Sequence, residues 1–212
     1  MSYKYEDFDW NAVWPGSPSD PEYVALWEER YKRELSPDLN QAREWVFRCC
    51  GSSQKMDALF YLEGEMDFPD WLVLLGDLWT SCDNIGLYKD DIFGILEDSL
   101  MDPLTMIPGL MDDEEKAAFA ALPDEITIYR GCGPRNKCGM SWSLNCDIAI
   151  RFPFYGRYRS DCPTLLTAVI KKTRAAAIKL SRNEQEIIVF ELEESCWTEE
   201  LITEAPSFRK LP

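Results

Sequence analysis

Near Leu122-Pro123-Asp124 the apolar residues of this 212-residue chain change their spacing, and that switch decides the fold class. Before it, apolar side chains recur three or four positions apart, as on a helix face. After it they alternate or run in short blocks, as in strands. A helical region followed by a strand-rich one predicts an α+β protein with two parts, residues 1–120 and residues 121–212. With 46% of its residues apolar, the chain can bury a core.

Within the first part, residues 1–22 read as an irregular arm, because aromatics there mix with Pro15, Gly16, Ser17, Pro18 and Pro21. Helices are expected over 23–35, 39–50 and 53–62, with Asp38 or Asn40 as a cap for the second. Residues 69–81 form a helix entered through Pro69. Its Trp71, Leu72, Leu74, Leu75, Leu78 and Trp79 are too apolar all round for a surface position. Two further helices are expected over 89–100 and 112–121. The tryptophans of this part read as core.

In the second part, 126–130 alternates and stops at Gly131, and 139–143 follows a loop of Gly133, Pro134, Arg135 and Asn136. Asn145 can cap a helix running to Phe152. Strands are expected over 165–171, 176–180 and 186–192, the last an unbroken apolar run suited to a central strand.

Charge divides at the same place. The net charge is −16, yet residues 1–120 hold 26 acidic and 9 basic side chains against 12 and 13 in the remainder. Between Arg130 and Arg182, eleven bases face only Asp147 and Asp161. Either the two halves attract each other, or the second half takes an anionic ligand.

The chain has no histidine, which excludes an imidazole base, a Ser-His or Cys-His pair and a His-ligated metal. Its chemistry must run on carboxylates, thiols, hydroxyls and arginines. Cys132, Cys138, Cys146 and Cys162 are separated by five, seven and fifteen residues, which matches no zinc pattern, so no metal is expected. The start MSYKYEDFDW is acidic and lacks the apolar region of a signal peptide. Reduced thiols in a cytoplasmic protein are therefore expected. No apolar stretch approaches membrane-spanning length, so no membrane partner is expected.

Three fragments stand out together: Tyr129-Arg130-Gly131 at the end of one strand, Ser141-Trp142-Ser143 on a second, and Glu184-Gln185-Glu186 leading into Ile187-Ile188-Val189-Phe190. Their order resembles the arginine, serine, glutamate (R-S-E) class of ADP-ribosyltransferases over roughly residues 122–192. The resemblance implies two small packed mixed sheets around an NAD cleft, and NAD as co-substrate. Trp142 stands where many relatives carry threonine. The sister class of these enzymes needs a histidine, which this chain lacks.

The resemblance also implies roles. Glu186 would hold the ribose of NAD and Glu184 would orient or deprotonate the acceptor. Ser141 would hydrogen-bond Glu186 or the ribose, and Ser143 would close the strand. Arg130, followed by Gly131, would support the NAD phosphates, and Phe152 falls where relatives set an aromatic against the nicotinamide ring, although core packing explains it equally. The chemistry suits these residue types. Losing nicotinamide spreads positive charge over the ribose, and a fixed carboxylate stabilises that state more than the ground state. A guanidinium offers a fork of donors to phosphate. Solvated acids before a strand, or a surface arginine paired with an acid, are the plainer alternatives.

Two glutamates resemble members that transfer ADP-ribose to a macromolecule. The acceptor is a protein side chain or a nucleic acid base, RNA included. For nucleic acid, Arg151, Arg157, Arg159, Lys171, Lys172 and Arg174 can follow a strand backbone while Phe154, Tyr155 and Tyr158 offer stacking surfaces. The chain looks like stand-alone bacterial or phage-borne members, with toxin, defence or host-modifying roles and an antitoxin or inhibitor as a further partner. An NAD glycohydrolase, or a catalytically silent interaction protein keeping the fold, is the alternative function.

Overall fold

The computed structural model describes residues 37–83, 85–99, 104–181 and 185–204. The arm over 1–22 and the helix expected over 23–35 lie outside them. The chain divides into two compact units, one ending at Tyr88 and the other beginning at Lys89.

In the first unit, α1 (Leu39–Cys49) opens with a reciprocal cap in which Asp38 accepts from the Gln41 backbone and Gln41 from that of Asp38. Helix α2 (Lys55–Tyr61) and helix α3 (Phe68–Trp79) follow, with Pro69 in the first turn of α3. Trp45, Trp71 and Trp79 are buried, and Trp71 Nε1 donates to the Leu59 carbonyl at 2.9 Å. These three tryptophans are core, as the sequence reading expects. Arg43 Nε on α1 and the Asp77 carboxylate on α3 pair at 2.5 Å.

The second unit contains α4 (Lys89–Ser99) and α5 (Asp113–Ala121), the latter capped reciprocally by Asp112 and Glu115. Six strands follow: β1 (Glu125–Cys132), β2 (Ser141–Ser143), β3 (Thr164–Lys171), β4 (Ala177–Lys179), β5 (Glu186–Ile188) and β6 (Trp197–Leu201). Between β2 and β3 lie α6 (Cys146–Ala149) and the 3₁₀ turns Phe152–Phe154 and Gly156–Tyr158.

The strands form one antiparallel sheet in the order β4-β5-β2-β1-β3-β6. This corrects the expectation of two small mixed sheets: among the described residues no pair is parallel. The α+β class holds. The sheet consists of a half with longer strands, β1-β3-β6, and a half of three-residue strands, β4-β5-β2. These halves share a single registered pair, Tyr129 with Ser143. Strand β6 was not expected, and β5 is shorter than the apolar run 186–192 suggests.

The division at Tyr88 and Lys89 also differs from the boundary expected near residue 120. Residues 89–99 and 104–121 are bound to the sheet. Phe93 meets Phe190 edge-on at 6.5 Å, Ile107 N donates to the Ala176 carbonyl at 2.8 Å, and Glu115 pairs with Lys179. One face of the sheet is the core, where Ile126, Ile128, Trp142, Leu166, Ala168, Ile178 and Ile187 are buried. The other carries the row described next.

Candidate active site

The three fragments picked out in the sequence lie on adjacent strands, β5, β2 and β1, at the middle of the sheet. Directly paired residues share a face. The register therefore draws a polar row across it: Thr198, Thr167, Tyr129, Ser143, Glu186, Lys179. Glu186 and Ser143 are opposite neighbours. Ser141 faces Ile188 instead, so of the two serines it is Ser143 that stands beside the carboxylate. The sequence reading gave that place to Ser141.

Local geometry fixes both members of the pair. Ser143 is buried, and its Oγ accepts from Asn145 N at 3.0 Å. Asn145 in turn caps α6 by accepting from the Asp147 and Ile148 amides. On the β5 side, Leu144 N donates to the Gln185 carbonyl at 3.0 Å, which extends the pairing by one rung. Gln185 has φ +46°, a left-handed conformation uncommon for a residue with a side chain, immediately before Glu186. Glu186 itself is half-buried.

Arg130 leaves β1 on the opposite face from Tyr129. Three of its donors are committed to main-chain carbonyls. Nε and Nη2 reach Asn136 O at 3.1 and 2.8 Å, and Nη1 reaches Ser141 O. The guanidinium thus fastens the 133–139 loop and β2 to the end of β1, where the backbone ladder between the two strands is sparse. Gly139 is required for this: a Cβ there would lie 2.0 Å from Nη2. Desolvation lowers the Arg130 pKa, and the nearby Cys132, Glu186 and Tyr158 oppose that shift. Arg130 is half-buried, and with these donors committed it does not present an open fork.

Gly131 lies on the Tyr129 face, and α6 crosses closely above it. A Cβ at Gly131 would meet the Ala149 carbonyl oxygen at 1.8 Å and Pro153 Cδ at 2.8 Å. The glycine permits that approach, and thereby brings the 3₁₀ turns over the face that carries Ser143 and Glu186. Phe152 is half-buried and meets Tyr155 and Tyr158 edge-on, with ring centroids 6.3 and 6.1 Å away. Tyr155 and Tyr158 are 44% and 40% exposed.

The basic residues separate into two groups. Lys171 is the ladder partner of Glu125 at the far end of β1, five residues or about 17 Å from the Arg130 end. Lys172 caps α5 through the Ala120 and Leu122 carbonyls, and Arg174 reaches the Glu191 carbonyl at 3.5 Å. Only Arg151 and Arg159 of the described side chains on the expected track stay with the aromatic turns. Arg151 Nε is buried without a hydrogen-bond partner.

Sequence reasoning missed the pairing of Lys179 with Glu115, both buried, at 2.7 Å; Lys179 Nζ also donates to Leu110 O. No local pattern signals it, because 64 residues separate the partners. Glu184, and with it Arg182, lies outside the described residues. All eight cysteines are free thiols, and among the described residues no cluster of three or more potential metal ligands occurs. No helix among them is long and apolar enough to cross a membrane. In comparisons with known proteins, no family model, curated protein or solved structure matches this chain.

Proposed function

We propose that the second unit is an ADP-ribosyltransferase core of the R-S-E class, which cleaves NAD and passes ADP-ribose to a macromolecular acceptor. The observation that carries this reading is the adjacency of β1, β2 and β5, with Ser143 directly opposite Glu186. Arg130, Ser143 and Glu186, separated by 13 and 43 positions in the chain, come to adjacent strands, and the paired Ser143 and Glu186 suit glycosidic cleavage.

In this reading NAD lies over the row between Tyr129 and Glu186, since the Lys179 end of the row is closed off by Glu115. The bond from ribose C1′ to the nicotinamide nitrogen breaks, and nicotinamide leaves with the bonding pair. Glu186 is the carboxylate beside the positive charge that develops on the ribose, held by its rung opposite Ser143. An acceptor lone pair then closes on C1′, and its proton passes to Glu184 or to water. Arg130 acts by fixing β2 and the 133–139 loop, and Phe152 borders the nicotinamide end. Toxin, defence or host-modifying action by a cytoplasmic enzyme, restrained by an antitoxin or inhibitor, is the setting this activity fits.

The test is incubation of the purified full chain with NAD labelled in the adenosine moiety, with and without cell lysate. Nicotinamide release together with macromolecular label supports transfer. Free ADP-ribose alone identifies a glycohydrolase, and neither product overturns the reading in favour of a silent interaction protein.

A further inference from the structure

We infer that residues 152–158 seat a single-stranded nucleic acid, and that this strand is the acceptor of the transfer. The inference rests on the NAD reading for the transfer but not for the binding. The two 3₁₀ turns hold Tyr155 and Tyr158 edge-on against Phe152, so two partly exposed rings are fixed by a third. Rings held this way are surfaces for stacking bases, which is insensitive to sequence because every base has a π-face. Exposed Arg159 and half-buried Arg151 flank them, and Arg157 lies between in the chain. The buried, unpartnered Nε of Arg151 is a desolvated donor at this place.

Two further observations favour a nucleic acid over a protein acceptor. The chain carries a net −16, so a phosphate backbone is repelled by most of the molecule and attracted to this segment, where the nearest acids in sequence are Asp147 and Asp161. An acidic peptide would satisfy the cations but leave the rings unused. Pro153 also packs against Gly131 on the face that carries Ser143 and Glu186, so a strand stacked here shares that face with the carboxylate, two strands from β5. The segment is distinct from the cations at the other end of β1, which are engaged in capping and strand-end contacts. In the transfer a nucleotide nitrogen or oxygen forms the bond to C1′, nicotinamide leaves with its electron pair, and the acceptor proton goes to water.

The experiment measures binding of fluorescent mixed-sequence single-stranded RNA, single-stranded DNA and a glutamate-rich peptide to the full chain without NAD, by anisotropy across a salt series. Binding of at least one oligonucleotide is expected, weakening with salt by a log-log slope of about −0.7 for each phosphate contacted. The double substitution Tyr155→Ala with Tyr158→Ala should weaken it by about tenfold or more. Arg159→Glu, an exposed change that leaves the rings in place, should weaken it and flatten the salt slope. No oligonucleotide binding at low salt, equal binding of the peptide, or wild-type affinity in both variants overturns the inference. In the lysate assay, protease-sensitive label overturns it while leaving the NAD reading intact. Oligonucleotide binding without nicotinamide release upholds the surface and overturns the NAD reading.

Discussion

Ser143 and Glu186 form the last directly registered pair of the β2–β5 ladder, and the residues after them, Leu144 and Gln185, are still hydrogen-bonded. Because side chains alternate along a strand, a slip of one residue would turn Glu186 to the core face, into the place of Ile187 between Trp142 and Ile178. The carboxylate therefore reaches the polar row only through this register. Gln185, with its positive φ, is where the chain makes the turn that allows it.

Replacing Glu186 with Gln keeps shape and hydrogen-bonding capacity while removing the negative charge. Nicotinamide release should fall by about 10²-fold or more, the size seen when a charge-stabilising group is deleted from an active site. Circular dichroism and the thermal midpoint should stay close to wild type. Wild-type turnover in a folded Glu186→Gln protein would remove Glu186 from the chemistry.

Arg130→Ala should act on stability as well as activity. It leaves the Asn136 and Ser141 carbonyls without their charged donor, and a loss of about 2–4 kcal/mol is expected from those hydrogen bonds. Arg130→Lys should recover little, since the compact ammonium lacks the planar fork by which Nε and Nη2 hold Asn136 O while Nη1 holds Ser141 O. Urea unfolding of both variants measures this. A lysine variant as stable as wild type would show that the fork geometry is unimportant.

Gly131→Ala tests the approach of α6 to β1. The added methyl would sit 1.8 Å from the Ala149 carbonyl oxygen, a backbone atom with no rotamer to retreat into. A destabilisation of about 3 kcal/mol or more is expected. A variant whose urea midpoint equals that of the wild type would mean that α6 is not held against β1.

How much of this the sequence disclosed depends on the range of the interaction. Asp38 as a cap, Pro69 at a helix entry and Asn145 before α6 are local signals, and each element appears within a few residues of its expected place. Strand β6 escaped because Thr198, Glu199 and Glu200 offer no alternation. Its only buried side chain is Trp197. The unit boundary escaped for another reason: 89–121 has a helical composition, and only contacts such as Phe93 with Phe190 attach it to the sheet. For the candidate site, the residue types and their strands were legible. The distribution of roles was not, because the choice of Ser143 over Ser141 depends on register, and the engagement of Arg130 depends on a loop folding back.

The buried pair Lys179 and Glu115 should behave non-additively. Glu115 also accepts from the Leu180 and Asp112 amides, and Lys179 also donates to Leu110 O, so either partner alone would be left charged in a dry site. Each single substitution, Glu115→Gln or Lys179→Met, should cost about 3–5 kcal/mol. The double variant should cost clearly less than the sum of the two, as a double-mutant cycle in urea will measure. Additive losses would mean that the two groups do not depend on each other.

The buried thiols Cys50 and Cys82 of the first unit and the exposed thiols of the second should differ sharply in reactivity. Burial pushes Cys50 and Cys82 up to about 12, so almost no thiolate exists there near neutral pH. Cys138, Cys162 and Cys196 are exposed. Iodoacetamide near pH 8, followed by peptide mass mapping, should label those three and spare Cys50 and Cys82 until the chain unfolds. The same shift ties stability to pH. In the unfolded chain these thiols ionise around the ordinary value of 9.0, while in the folded one they stay protonated to about 12. Their contribution is therefore complete below pH 9 and is lost as the pH rises towards 12. The urea midpoint should fall across that window, and Cys50→Ala with Cys82→Ala should reduce the fall. Rapid labelling of Cys50 or Cys82 in the native protein, or an unchanged pH dependence in the double variant, would show that the two thiols are not sealed in the helical core.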